Sequence, residues 1–497
     1  MARQLRYLGL LLLAIATATL GFFQMFARTA QGPGSTMLTL MVALAVLFVV
    51  SWGLTVKFQP YANQSLLACM FLLSAIGILM IARIDRENDT SVALRQLIWI
   101  LLALVCYDLF IVFMRDYRVL RRFSYVSMVI GLALLLSPMI PGLGREIGGA
   151  RIWIGIGSYQ LQPGEFAKLF LAFFFASYLF NHRDQLAVGG KKVLGLQLPR
   201  MKDLGPIIVV WLASMGVLIL QSDLGTSLMF FAMFVAMLYV ATDRPSWIVI
   251  GFIAFAVGCV LAANLFAHVG YRVSAWLHPL DPAVYNRYPG GSSQLVAGLF
   301  GLAAGGLSGT GLGDGYPAIT PLANSDFIFA STGEELGLVG VFAVLMMYLL
   351  IVAMGLLIAM RLKDGFGKLL ASGLAFTMAF QVFTVVGGIT LVIPLTGLTM
   401  PFMAAGGSSL VANYILMALL VIMSNSANKP EADISSETFQ MQAINAINDR
   451  KRENESRHAS ASHERSDEPP MPRTSQFPQA TPNNDETQVI KQGGDQS

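Results

Sequence analysis

The carboxylate with the most constrained setting is Asp281, in the run RVSAWLHPLDP at 272–282. Prolines at 279 and 282 hold the backbone around it stiff and non-helical. An acid fixed in that way can take a proton from a hydroxyl brought to it; by spacing alone a turn-forming aspartate is the plainer reading. Glu165 and Lys168 follow Gln162 and Pro163 in QPGEFAK and stand three residues apart, so on a helix they share a face and can pair. An ionisable residue at the mouth of a membrane span is a functional candidate by default, with a self-satisfied ion pair as the plainer reading. Arg151 and Trp153 lie just upstream in GGARIW. The planar fork of an arginine suits phosphate, whereas a tryptophan there also suits an interfacial belt. Asp223 in QSDLGT is placed to cap a helix. Asp326 and the adjacent Glu334 and Glu335 lie near the start of another helix, where acids favour the positive end of the dipole. Pro394, Gly397 and Pro401, followed by Gly406, Gly407 and Ser408, form a segment with helix breakers on both sides whose glycines allow close backbone approach to a ligand.

The elements that must position these residues are membrane helices. The chain has 497 residues, 55% hydrophobic and only 12% charged, with a mean hydropathy of +0.63; a soluble protein carries about 25% charged residues. Twelve apolar runs are long enough to span a bilayer, at about 7–27, 37–56, 63–82, 94–114, 124–141, 164–181, 204–220, 224–242, 246–267, 333–360, 367–394 and 406–424. The first follows Arg3 and Arg6, lacks a clean cleavage pattern and leads straight into a second span, which predicts a retained helix. The fold class expected is therefore an all-α polytopic membrane protein of about twelve spans.

Alternating the spans from a cytoplasmic N-terminus puts Arg115, Arg118, Arg121, Arg122, Arg183, Lys191, Lys192, Arg200, Lys202, Arg361, Lys363 and Lys368 in inner loops. The outer loops hold arginines but no lysine, so the positive-inside bias supports this orientation and leaves both termini cytoplasmic. All the chemical candidates then fall on the outer side. Two outer loops are long, about 142–163 and 268–332; the glycine-rich middle of the second, 295–312, predicts a re-entrant or interfacial segment. Beyond 425 the composition turns polar and predicts a disordered cytoplasmic tail. Cys69, Cys106 and Cys259 lie in apolar runs without metal-ligand or disulfide spacing. No phosphate-binding loop, dinucleotide fingerprint, zinc-protease helix or serine-hydrolase elbow is present, and the scattered basic residues make no nucleic-acid patch.

Taken together and in order, GGARIWIGIGSYQLQPGEFAK, QSDLGTS, RVSAWLHPLDP, SSQ with Gln294, GGLSGTGLG, SDFIFASTGEELGLVG and IPLTGLTMPFMAAGGSSLVANY resemble the SEDS family of shape, elongation, division and sporulation proteins, whose members include RodA and FtsW. The wording of IPLTGLT and LVANY is closer to the RodA-like members. The resemblance implies a ten-helix core at 61–425, a two-helix extension at 1–60 and the tail at 426–497. It also implies a peptidoglycan glycosyltransferase of the bacterial plasma membrane that polymerises lipid II at the outer face for cell wall synthesis and elongation. Its partner would be a class B penicillin-binding transpeptidase, alongside membrane lipids and no nucleic acid. Asp281 matches the family's essential loop aspartate. Arg151, Lys168 and Arg272 become candidates for the pyrophosphate, with Glu165, Asp326, Glu334 and Glu335 around the substrate. No cofactor is required by the motifs, although a divalent cation, magnesium or manganese, would share the charge; its ligands are not specified. Departures occur at Ser222, where the family usually has proline, at Ser325, and at Met403 to Ala405. A lipid II flippase and a non-catalytic cell-wall scaffold are the alternative readings; the first predicts charged residues through the bilayer midplane.

Overall fold

A chain surrounded by hydrocarbon must satisfy its backbone within itself, so long apolar runs become helices. The computed structural model describes residues 2–27, 35–147, 149–156, 159–187, 189–193, 196–199 and 201–430, with Met441, Ile444 and Ile447. In chain order the helices are α1 (Ala2–Ala27), α2 (Ser35–Phe58), α3 (Ser65–Asn88), α4 (Val92–Phe113), α5 (Val119–Arg122), α6 (Ser124–Leu136), α7 (Pro163–Ala187), α8 (Met201–Leu220), α9 (Leu224–Thr242), α10 (Ser246–Leu265), α11 (Ala267–Leu277), α12 (Pro282–Tyr285), α13 (Ser293–Gly305), α14 (Ile328–Arg361), α15 (Gly365–Ile389) and α16 (Gly407–Asn428). Among the described residues ten of these are long and apolar enough to cross a membrane. The fifth and seventh expected spans are α6, carried on by a short 3-10 turn to Met139, and α8, 20 residues long.

The chain is an all-α polytopic membrane protein. Its centre is α16, with 89% of its apolar window buried, together with α3, α7 and α15; α10 is the opposite case, with 6% buried, and presents nearly its whole surface outward. α1 packs on α3 through Leu11, Ala14, Ala18, Phe22 and Met25, a stripe at helical spacing. The alternation of spans is visible in the contacts at each end of the bundle. At one end Arg3 donates to the carbonyl of Ala62 at 3.0 Å, Tyr61 N–H to Asn425 at 2.8 Å, and Arg361 to Asn428 at 3.3 Å. The other end gathers Arg83, the 144–161 segment, α11 and the 391–409 loop. Of the loops read as cytoplasmic, those at 115–122 and 361–368 share the first end, with Arg118 3.5 Å from Asp364.

Four local features differ from the sequence expectation. The first long outer loop is not irregular: β1 (Gly144–Ile147), β2 (Ala150–Ile156) and β3 (Tyr159–Leu161) form an antiparallel sheet in the order β1-β2-β3, with Arg145 opposite Trp153. Strands of three to seven residues carry too little alternation to be read. A second hairpin, β4 (Gly189–Val193) and β5 (Leu196–Pro199), lies between α7 and α8. The glycine-rich stretch expected to re-enter at 295–312 resolves into helix α13 packed on α14, then a loop. The tenth span begins five residues earlier than expected, at Ile328, because a break at Gly337 (φ 67°, ψ −173°) separates a first helical segment from the long one. A Cβ at Gly337 would lie 2.1 Å from the amide nitrogen of Gly309, so both the left-handed backbone and the close approach require glycine there. Contacts group Met1–Lys429 as one unit and Pro430–Ser497 as another. α16 runs three residues past the expected boundary at 425, and the expected disorder of the tail falls, apart from the few residues named above, outside the described residues.

Candidate functional site

Five separated stretches converge at the outer end. The backbone N–H of Arg151 on β2 donates to Gln221 at 3.2 Å, tying the sheet to the α8–α9 turn. Gln162 N–H donates to Ser408 at 2.8 Å, tying the start of α7 to the start of α16. Arg272 on α11 donates to the carbonyls of Leu395 and Thr396 at 3.1 and 2.9 Å, and Trp276 to that of Leu391 at 2.8 Å. Ala405 N–H reaches Asn324 at 2.8 Å, and Gly397 lies beside Asp326. Gly407 leaves room for Trp99, whose ring would be 2.2 Å from any Cβ at that position.

At the heart of this junction Lys168 is fully buried, and its three ammonium protons are used: Glu165 at 2.6 Å, Gln381 at 3.0 Å and Asn413 at 3.1 Å. Gln381 in turn donates to the Thr399 carbonyl and Asn413 to Ser409. Each group helps satisfy its neighbour, which is what a buried charge needs to be tolerated. The predicted i, i+3 pair is therefore present. In this geometry all three donors of the ammonium, expected from the resemblance to meet a pyrophosphate, are engaged by protein groups. Gln381 was not singled out in the sequence, although a polar residue within an apolar run is a signal of the right kind.

The second charged group is Arg272 between Asp223 and Asp326. Burial pulls the guanidinium down from its ordinary value, and both carboxylates oppose that. Burial pushes Asp326 up to about 6 against the pull of Arg272, and raises Asp223 despite the amide of Thr226 and the same arginine. Asp223 caps α9 as predicted, accepting from Thr226 N–H at 3.0 Å. The preceding Ser222 takes φ +61°, closed to the proline that the resembled motif carries there. Thr396 and Thr399 bring buried hydroxyls without a protein hydrogen-bond partner to the same loop.

Asp281 stands one step outward. It caps the four-residue helix α12, with Oδ1 accepting from Ala283 N–H at 2.9 Å, and it is exposed. The two sequence readings, turn former and accessible carboxylate, are thus compatible. Ser292 Oγ donates to the Pro279 carbonyl at 2.6 Å and Arg287 to Ser274 at 2.7 Å, closing the loop back on α11. Gln294 lies in the first turn of α13. Arg151 is exposed on β2, and Trp153, on the same face of the strand, is half-buried.

Glu334 and Glu335 do not join this group. Expected as surface acids near a helix start, they are buried instead. Glu335 pairs with Arg83 at 2.9 Å and accepts from Gly313 N–H at 3.2 Å, while Glu334 accepts from Tyr316 N–H at 2.6 Å. Arg83 also donates to the Gly315 carbonyl at 2.7 Å. These groups clamp the 306–316 loop between α3 and α14. Among the described residues no group of three or more His, Cys, Asp or Glu side chains is placed to hold a metal ion, so no chemical step is assigned to a cation.

The family model of cell cycle proteins of the FtsW/RodA/SpoVE type matches residues 63–429. The peptidoglycan glycosyltransferase RodA of Mycobacterium tuberculosis H37Rv is 44% identical over 382 residues, covering 75% of this chain and 80% of that protein. Stage V sporulation protein E of Bacillus subtilis is 31% identical over 364 residues, covering 71% and 93%. The crystal structure of the rod shape determining protein RodA of Thermus thermophilus superposes with a TM-score of 0.51 at 25% identity, over 74% of this chain and 98% of that one. A chain from a structure of a peptidoglycan synthase complex that coordinates polymerization and crosslinking gives 0.52 at 25% identity, over 79% and 98%. With the motifs, the helical architecture and these matches in agreement, the chain belongs to the FtsW/RodA/SpoVE family of cell cycle proteins.

Proposed function

We propose that this protein is a peptidoglycan glycosyltransferase of the plasma membrane that polymerises lipid II at its outer face, in cell elongation. The observation that carries the reading is an exposed aspartate on the stiff loop that follows α11 and its half-buried Arg272, in a chain 44% identical to proteins named peptidoglycan glycosyltransferase RodA. Asp281 serves as general base. Its free carboxylate oxygen takes the proton of the C4 hydroxyl of the acceptor's N-acetylglucosamine. That oxygen forms a bond to C1 of the donor's N-acetylmuramic acid, on the face opposite the leaving group. The bond from C1 to the pyrophosphate breaks, and undecaprenyl pyrophosphate departs with the electron pair. Proton removal by a placed base contributes about 10²–10⁴-fold. Confinement of both lipid tails to one leaflet supplies proximity.

The charge of the leaving pyrophosphate falls to Arg151, whose exposed guanidinium can present its fork. Arg272 acts through the 395–396 carbonyls that it holds. Lys168 and Glu165 act as positioning residues that fix α7, α15 and α16 under the site. A class B penicillin-binding transpeptidase is the partner that would cross-link the strands, in keeping with the solved synthase complex. The test is conversion of lipid II by the purified protein, with and without that partner. Glycan strands are expected. Transbilayer movement of lipid II without polymer would support the flippase reading instead, which the location of the charges at the outer edge disfavours.

A further inference from the structure

At the end of the bundle away from the proposed site, a cavity of about 440 Å³ is lined by Arg118, Arg121, Arg122, Phe180, Asp364 and Phe366. It lies between α5, the C-terminal part of α7 and the start of α15. The one carboxylate is already engaged: Asp364 accepts from Tyr117 and from Gly367 N–H at 2.7 Å, and lies 3.5 Å from Arg118. Arg121 has neutral partners. It lies over the Phe180 ring at 4.3 Å and donates twice to Asn181, at 2.9 and 3.2 Å. Among the described residues neither Arg121 nor Arg122 has an ion-pair partner, so the cavity keeps an excess of positive charge with planar donors. Beside it Phe123, Tyr125, Val126 and Val129 on and before α6 are exposed and apolar, a surface for hydrocarbon at the depth where a headgroup would sit in the cavity.

We propose that this cavity binds the phosphate of an anionic glycerophospholipid from the cytoplasmic leaflet, its acyl chains lying along α6. Arginine suits the site because its fork pairs with phosphate oxygens while its face stays on the Phe180 ring. The inner leaflet supplies anionic lipid at high local concentration, and basic pockets between helices on that side take such headgroups. The adjoining apolar face distinguishes a lipid from a soluble anion as occupant.

The test is native mass spectrometry of the purified full-length protein titrated with phosphatidylglycerol and, separately, with phosphatidylcholine. With two arginines near the surface, the wild type should favour the anionic lipid by about ten-fold or more. Arg121→Gln with Arg122→Gln should lose that preference, and Arg115→Gln, on the same face outside the cavity, should keep it. Should the double variant fail to fold, Arg122→Gln alone, at an exposed side chain, gives the same reading with a smaller loss. An unchanged preference in the cavity variants overturns the proposal. So does an equal loss in Arg115→Gln, which would mean diffuse surface charge. Displacement of the lipid by excess inorganic phosphate would assign the cavity to a soluble anion and overturn the lipid as occupant. None of these readouts depends on polymerisation, so the inference stands or falls apart from the proposed function.

Discussion

At the scale of single residues the central contrast is between Asp281, exposed and backed by one backbone amide, and Lys168, buried with every proton engaged. The first can exchange a proton with a substrate; the second holds the structure. Lys168→Met leaves Glu165 as an unpaired buried carboxylate, and breaking such a pair costs about 3–5 kcal/mol. Thermal unfolding in detergent should show a clear fall in Tm for Lys168→Met and partial recovery when Glu165→Gln is added; no recovery would mean that the pair is not the interaction lost. Asp326 gives a pH prediction. Its folded pKa, about 6, lies above the ordinary carboxylate value, so its contribution favours the folded state at low pH and is lost as pH rises through 6. The Tm of wild type relative to Asp326→Asn should therefore decrease between about pH 5 and pH 7.5. A difference that stays constant with pH would remove Asp326 from the account. The sequence exposed the pairing of Glu165 with Lys168, since helical spacing suffices for that. It did not expose Gln381 and Asn413, because their place beside Lys168 depends on how α15 and α16 pack.

At the scale of elements, the apolar runs were readable because a bilayer demands about 20 residues per span, and most of the helices fall where those runs predict. What remained hidden was short or depended on distant partners. The β1–β3 sheet is one case and the break at Gly337 another, visible only once Gly309 is seen against it. The clamp of Arg83 on Glu335 is a third, since the two residues stand far apart in the chain and meet only through the packing of α3 on α14. Arg83→Ala should free the 306–316 loop, and hydrogen exchange at its amides should rise there while α15 and α16 stay protected. Unchanged exchange in that loop would show that the clamp does not hold it.

For the whole molecule, the placement of chemistry outside and basic loops inside is the premise on which access to an outer-leaflet substrate rests. Tyr288 is 97% exposed in the loop after Asp281, and Asp116 is exposed in the loop at the opposite end. A membrane-impermeant maleimide should label Tyr288→Cys in intact cells and Asp116→Cys only after permeabilisation. The reverse pattern would put Asp281 on the cytoplasmic side and withdraw the outer-face polymerase. The arginine and lysine bias of the sequence predicts this polarity, and the contacts at each end of the bundle group the segments as that alternation requires. The relation of the 430–497 tail to this polarity falls outside the described residues.

The most direct test of the account compares polymerisation of lipid II by wild type and by Asp281→Asn, with the transpeptidase partner present and both proteins shown to be folded by their melting curves. Glycan strands are expected from the wild type and a rate lower by about 10²–10⁴-fold in the variant, with retained binding of lipid II. Equal rates in the two proteins would contradict Asp281 as the base.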